Sequence, residues 1–241
     1  MQASSMAQNM TMALGMQDIY TASTTQLLPL GSKVELADGR RFVYGKAGAS
    51  DLAYGKLAMT RATNANHQDE VVAASAAVGD TSISVTFGEA VAANLFAGGY
   101  LHVNDDTGEG QLYTIVSHPA GTAGVIVQLG EKIRVAVTAG SGTVSAIKHP
   151  CQDLIISAAT AGPPVGVPMV TIPASNYGWF QSKGVASVLV AGTLVIGQRC
   201  NQAAGGAVAP NAGDILPDCG VVLQVSATTE YALIGLDVLG F

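Results

Sequence analysis

The side chains able to do chemistry are few and scattered in this 241-residue chain. The densest set is Asp105, Asp106 and Glu109, three carboxylates within Asn104-Asp105-Asp106-Thr107-Gly108-Glu109-Gly110. Hard cations such as calcium take several carboxylate and carbonyl oxygens from one turn, but the run lacks EF-hand spacing. Asn, Asp and Gly also build tight turns unaided, through side-chain hydrogen bonds and tolerance of left-handed φ, so a solvated hairpin tip is the preferred account. His67, His102, His118 and His149 show no i,i+2 or i,i+4 pairing, and a zinc site would need them to converge in space. No metal and no cofactor is expected.

Nucleophile and phosphate motifs fail for stated reasons. Gly55-Lys56 has its preceding glycine, Gly48, too far upstream for a phosphate loop, and Leu57 cannot ligate magnesium. Gly140-Ser141-Gly142 reads as a hairpin tip rather than a nucleophile elbow. Cys151, Cys200 and Cys219 are odd in number and lack C-x-x-C spacing, which suits small buried hydrophobes in a reducing compartment. Tyr177, Trp179 and Phe180 are candidate surface contacts, as aromatic faces for a carbohydrate. A lone Trp in a chain with 5% aromatics more often anchors a core or an interface. The sequence is therefore not expected to encode an enzyme.

The composition limits partners. Hydrophobic residues make up 49% and charged residues 12%, about half of the roughly 25% usual in globular domains, so few charges cover the surface. A net charge of −6, with 11 basic residues scattered singly, excludes the basic stripe that nucleic acid requires. No apolar run reaches the roughly 18 residues of a membrane span, so no membrane partner is expected. The N-terminus offers neither a basic n-region nor an apolar h-region, which points to use without export.

The elements that would position these residues are β. Residues 1–30 carry neither helical nor strand periodicity and are rich in methionine, so they read as an extended arm. Met6, Met10, Met12, Met16, Leu27, Leu28 and Leu30 are its candidate contacts to a capsid or a neighbouring subunit, since an unbranched thioether adapts to irregular apolar grooves. Ala37-Asp38-Gly39-Arg40 between alternating runs predicts a hairpin. The polar run 64–70 reads as a linker. Ile83, Val85 and Phe87 alternate with Ser82, Ser84 and Thr86 as a half-buried strand does. Residues 89–96 fit one short helix, and 100–103, 111–116, 125–129, 132–137 and 143–148 fit short strands at sandwich or barrel spacing. Gly162-Pro163-Pro164-Val165-Gly166-Val167-Pro168 predicts a rigid extended connector. Strand patterns continue at 185–190, 194–196, 221–225 and 231–238. The expected organisation is all-β: β-sandwich or jelly-roll-like modules, or small β-barrels, behind an extended arm. The boundaries fall at 1–68, 69–152 and 153–241.

Several runs carry a resemblance. Arg41-Phe42-Val43-Tyr44-Gly45-Lys46-Ala47-Gly48, Gly55-Lys56-Leu57, and 99–110 with Tyr113 and Ser117-His118-Pro119 resemble structural proteins of tailed bacteriophages. So do Ile133-Arg134-Val135-Ala136, Val165-Gly166-Val167-Pro168, Gly178-Trp179-Phe180-Gln181-Ser182-Lys183-Gly184 and Glu230-Tyr231-Ala232-Leu233. The group they resemble is the capsid decoration, or cement, proteins. That resemblance implies a β-rich virion protein, often a homotrimer, on the exterior of the mature capsid, where it binds the major capsid protein and stabilises the shell against genome pressure. The alternative it leaves open is a head fibre or host-surface glycan-binding module that uses Tyr177 and Trp179.

Overall fold

A computed structural model describes residues 17–158, 162–211, 213 and 217–238. Met6, Met10, Met12 and Met16 lie outside the described residues. The chain is nearly all β, as the alternation predicts, and the helical structure among the described residues is two short 3₁₀ turns at Ala65–His67 and Ala204–Gly206.

The strands run β1 (Lys33–Glu35), β2 (Arg41–Lys46) and β3 (Ala58–Met59), then β4 (Glu70–Ala74), β5 (Ser82–Thr86), β6 (Tyr100–Asp105), β7 (Leu112–Ser117), β8 (Val125–Leu129) and β9 (Thr143–Ile147). They continue as β10 (Ile155–Ile156), β11 (Pro164–Pro168), β12 (Tyr177–Leu189), β13 (Arg199–Gln202), β14 (Val208–Pro210), β15 (Asp218–Gln224) and β16 (Tyr231–Asp237).

The structure divides the chain otherwise than the three expected modules. It forms two compact units, Met1–Ala62 with Pro150–Phe241, and Thr63–His149. The segments read as first and third modules share one sheet, in the order β10-β3-β11-β12-β16-β15-β13-β14, with β2 also on β12 and β1 on β2. The cause is the length of β12: its first half pairs with β2 from Tyr177↔Lys46 onward, and its second half pairs with β16 from Lys183↔Asp237 to Leu189↔Tyr231. The expected connector is extended, but as the buried strand β11 between β3 and β12.

The predicted hairpin joins β1 to β2. Gly39 sits at φ +84°, Leu36 N–H donates to Arg40 O at 2.8 Å, and Arg40 N–H donates to Asp38 Oδ1 at 3.0 Å. Three buried clusters fill this unit. Ala186, Val188, Val222, Ile234 and Leu236 lie on the inner face of the β12–β16–β15 sheet. Val43, Leu52, Ala58, Leu154 and Phe180 form the second cluster, and Ile19, Phe42, Tyr44 and Trp179 form the third.

The second unit is a closed antiparallel barrel, β4-β5-β8-β7-β6-β9. Its strands alternate as their sequences do: Ile83 and Val85 of β5 point inward with Phe87 beyond them, while Ser82, Ser84 and Thr86 are partly exposed. Leu101, Val103, Tyr113, Ile115, Val127 and Val144 complete the interior. Residues 89–96 are not helical. Val91 instead exchanges main-chain hydrogen bonds with Gly121 at 2.8 and 3.0 Å, and Asn94 adopts φ +58°, which no helix accommodates. Residues 132–137 make one isolated bridge, Ala76↔Val137, in place of a strand.

Candidate functional site

The arm's root is the most elaborated polar site of the first unit. Gln17 is buried, its Nε2 donates to Thr21 O at 2.7 Å and Tyr177 O at 3.0 Å, and its Oε1 accepts from the Tyr44 hydroxyl at 2.8 Å. Its main-chain oxygen accepts from the Trp179 indole Nε1 at 2.7 Å. Tyr44 meets Trp179 edge to face, 5.2 Å between centroids, and stacks on Tyr177 at 6.2 Å. Ile19 is buried against these rings, Leu28 and Leu30 pack partly buried beside them, and Leu27 stays exposed with its N–H on the Tyr44 hydroxyl. Residues 17–32 are thus built into the body, because glutamine and isoleucine supply the hydrogen bonds and apolar contact that strand periodicity does not.

This arrangement corrects the aromatic platform. Trp179 is 1% exposed and Phe180 is fully buried, so neither offers a ring face to a sugar, and Tyr177 is half-buried with Lys46 Nζ 5.5 Å from its ring. Alternation explains the error only in part, since β12 is buried on both sides from Gly178 to Ser182.

The carboxylate turn is likewise structural. Asp106 sits at φ +87° and its Oδ2 accepts from Thr138 N–H at 2.6 Å, which ties the β6–β7 turn to the loop before β9. Hydrogen bonds from Thr138 and Thr107 hold its carboxyl below the usual carboxylate range. Asp105 Oδ1 is taken by Asp106 N–H at 2.8 Å. Among the described residues no group of three or more His, Cys, Asp or Glu side chains is placed to hold a metal ion.

Two histidines do converge, which their spacing concealed. His67, read as part of a linker, is buried with its ring 4.9 Å from that of Phe96, and His118 stands 5.3 Å from the same phenyl ring. His118 Nε2 accepts from Phe96 N–H at 3.1 Å, while Nδ1 lies 2.9 Å from Pro119 O. Burial pushes the His67 pKa down, opposed by Glu89, whose Oε1 lies 3.1 Å from Nε2. His149 is also lowered by burial. The three cysteines carry thiols rather than a disulfide, and burial pushes Cys151 and Cys219 up to about 12 and Cys200 up to about 11, which leaves them poor nucleophiles.

A cleft of about 520 Å³ opens on the first unit between Lys33, Arg41, Lys183, Asp218 and Asp237. Two of its charged side chains are paired within the chain: Arg41 bonds Glu35 at 2.8 Å, and Asp218 bonds Arg199 and Asn211. Its one hydroxyl, Ser182 Oγ, donates to Arg41 O at 3.4 Å.

The remaining feature is apolar. Val185, Val221, Leu223, Leu233 and Tyr231 stand on the solvent side of the β12–β16–β15 sheet, each 38–52% exposed. Val71, Leu112, Val116 and Ile126 are similarly exposed on the barrel wall.

Comparison with protein-family models, with curated proteins and with solved structures returns no match. Among the described residues no helix is long and apolar enough to cross a membrane.

Proposed function

We propose that the chain is a structural protein of a tailed-phage particle, a decoration protein that binds the major capsid protein on the outside of the mature head. The observation that carries this reading is the apolar side chains left in water on the outer faces of both units, in a chain with only 12% charged residues. Surface of that kind is built to be covered by protein. The motifs that resemble decoration proteins supply the setting, and segment 17–32 is fixed to the body through Gln17, Tyr44 and Trp179. The mechanism is linkage: a protein that binds the expanded shell and not its precursor stabilises the expanded state by its binding free energy. No bond is made or broken.

The test is quantitative mass spectrometry of purified particles. A copy number in fixed ratio to the major capsid protein, set by the sites of the icosahedral lattice, is expected. A handful of copies per particle, or none, overturns the reading.

A further inference from the structure

The cleft of the first unit lies at a fork between strands. At Gln181, β12 carries β2 on one edge, through Gln181↔Phe42, and β11 on the other, through Val167↔Gln181. Further along, Lys183 still faces Arg41 of β2, but the other edge has passed to β16 through Lys183↔Asp237, with Val238 N–H on Ser182 O at 3.0 Å. The earlier part of β11 has left β12 and runs beside β3, at Pro164↔Met59 and Gly166↔Ala58. A strand has only two edges, so β11 and β16 share one of them and must diverge. The cleft opens where they do, with Pro164 on one prong and Asp237 and Val238 on the other. Its volume of about 520 Å³ lies within the roughly 300–1,000 Å³ of small-molecule sites.

The register sets charges in one row across β1, β2, β12 and β16: Glu35↔Arg41, Arg41↔Lys183 and Lys183↔Asp237. Arg41 and Lys183 stand directly opposite each other, and like charges so placed destabilise a sheet. Glu35 answers Arg41 at 2.8 Å. Lys183 goes unanswered: its side chain has no hydrogen bond or ion pair among the described residues, and neither has that of Lys33, the third cation of the lining. The Asp237 carboxylate is unpaired in the same sense, whereas Asp218 is taken by Arg199 and Asn211. Lys33, Arg41 and Lys183, three of the chain's 11 lysines and arginines, thus border one cleft of a protein whose net charge is −6. That concentration carries a self-repulsion which an anion in the cleft relieves.

The unanswered groups define the ligand. Two ammonium groups match the charge of about −1.5 to −2 that a phosphomonoester carries at neutral pH, whereas a lone carboxylate leaves one of them unmatched. Lysine binds such a group as a point charge with three donors for its oxygens. The ionised Asp237 side chain can only accept a hydrogen bond and repels a bare anion, so the ligand must also bring a donor, which a hydroxyl of a sugar or polyol supplies. Pro164, Pro217 and Val238 give its carbon skeleton an apolar wall. We infer that the fork between β11 and β16 binds a small hydroxylated phosphomonoester, with the phosphate on Lys33 and Lys183 and a hydroxyl on Asp237.

The inference uses the charged cleft rather than the apolar outer faces, so it and the capsid reading fail separately. The experiment is calorimetric titration of the purified full chain with glucose 6-phosphate, beside inorganic phosphate, sulfate and glucose at equal ionic strength. Lys33→Met and Lys183→Met are titrated in parallel; both side chains are exposed, so circular dichroism should show both variants folded. The expected result is saturable binding of glucose 6-phosphate, weakened about tenfold or more in each variant, with weaker binding of inorganic phosphate and none of glucose. No saturable binding of glucose 6-phosphate at millimolar concentrations overturns the inference. Binding that either variant leaves unchanged overturns it too, because the anion is then held elsewhere. Inorganic phosphate or sulfate binding as tightly as the ester also overturns it, and leaves an adventitious ion only.

Discussion

The indole Nε1 of Trp179, at the buried start of β12, donates to the main-chain oxygen of Gln17 at 2.7 Å across 162 residues of sequence. One side chain of the longest strand thereby fixes the place where the N-terminal segment joins the body. Gln17 reinforces it with its own side-chain amide, which reads Thr21 O, Tyr177 O and the Tyr44 hydroxyl together.

Replacing that donor should loosen the root before it unfolds the sheet. Trp179→Phe leaves the Gln17 oxygen buried without its indole donor, at a cost of about 1–3 kcal/mol for the unmade hydrogen bond. Lys33 is the first lysine or arginine in the sequence, so trypsin reports on the segment directly. Cleavage after Lys33 should be faster in Trp179→Phe and in Gln17→Ala than in the wild type, with the remaining body still resistant. Equal cleavage rates would show that the root is held by other contacts.

The barrel is most sensitive at Gly99. A Cβ there would stand 2.1 Å from Ile147 O and 2.9 Å from His149 N, at the point where Tyr100↔Ile147 begins the β6–β9 pairing. Neither backbone atom can yield without breaking the ladder, so Gly99→Ala should destabilise the second unit by about 3 kcal/mol. Gly39→Ala meets no atom within 4 Å and carries only the strain of φ +84°, about 1–2 kcal/mol. Denaturant unfolding of the two variants should rank them in that order.

The barrel should also lose stability in mild acid. Burial holds the folded-state pKa of His67 below its ordinary 6.5, so the unfolded chain binds the proton first as pH falls. Stability from the neutral ring is complete above pH 6.5, declines as pH falls from there toward the lowered folded value, and then levels off. His149 adds to this in the same direction. Glu89 reduces the effect by favouring the charged ring. His67→Gln should therefore flatten the pH dependence of barrel unfolding below pH 6.5, and an unchanged slope would assign the acid sensitivity elsewhere.

Local chemistry was legible in the sequence and long-range pairing was not. Asp38-Gly39 specified its hairpin because the positive φ is a property of two adjacent residues. The alternation from Ser82 to Phe87 specified its inward face for the same reason. By contrast, β2 and β12 pair over more than 130 residues, and nothing in either strand names its partner. The 89–96 segment carried residues compatible with a helix, but the Val91–Gly121 bridge satisfies the same backbone groups across the chain. His67 sat in a polar run whose neighbours are exposed, and only the closed barrel brings it to the Phe96 ring that His118 also meets. The aromatic triplet at 177–180 was recognisable as an anchor; which side it anchored depended on β12 being covered on both faces.

The central claim is that the chain stabilises a capsid by binding its exterior. The most direct measurement is the temperature at which purified particles release their genome, compared between particles that carry the chain and particles assembled without it. The account predicts earlier release from particles that lack the chain, with the difference abolished when purified protein is added back. The same release temperature in both, with the chain bound to only one, would contradict it.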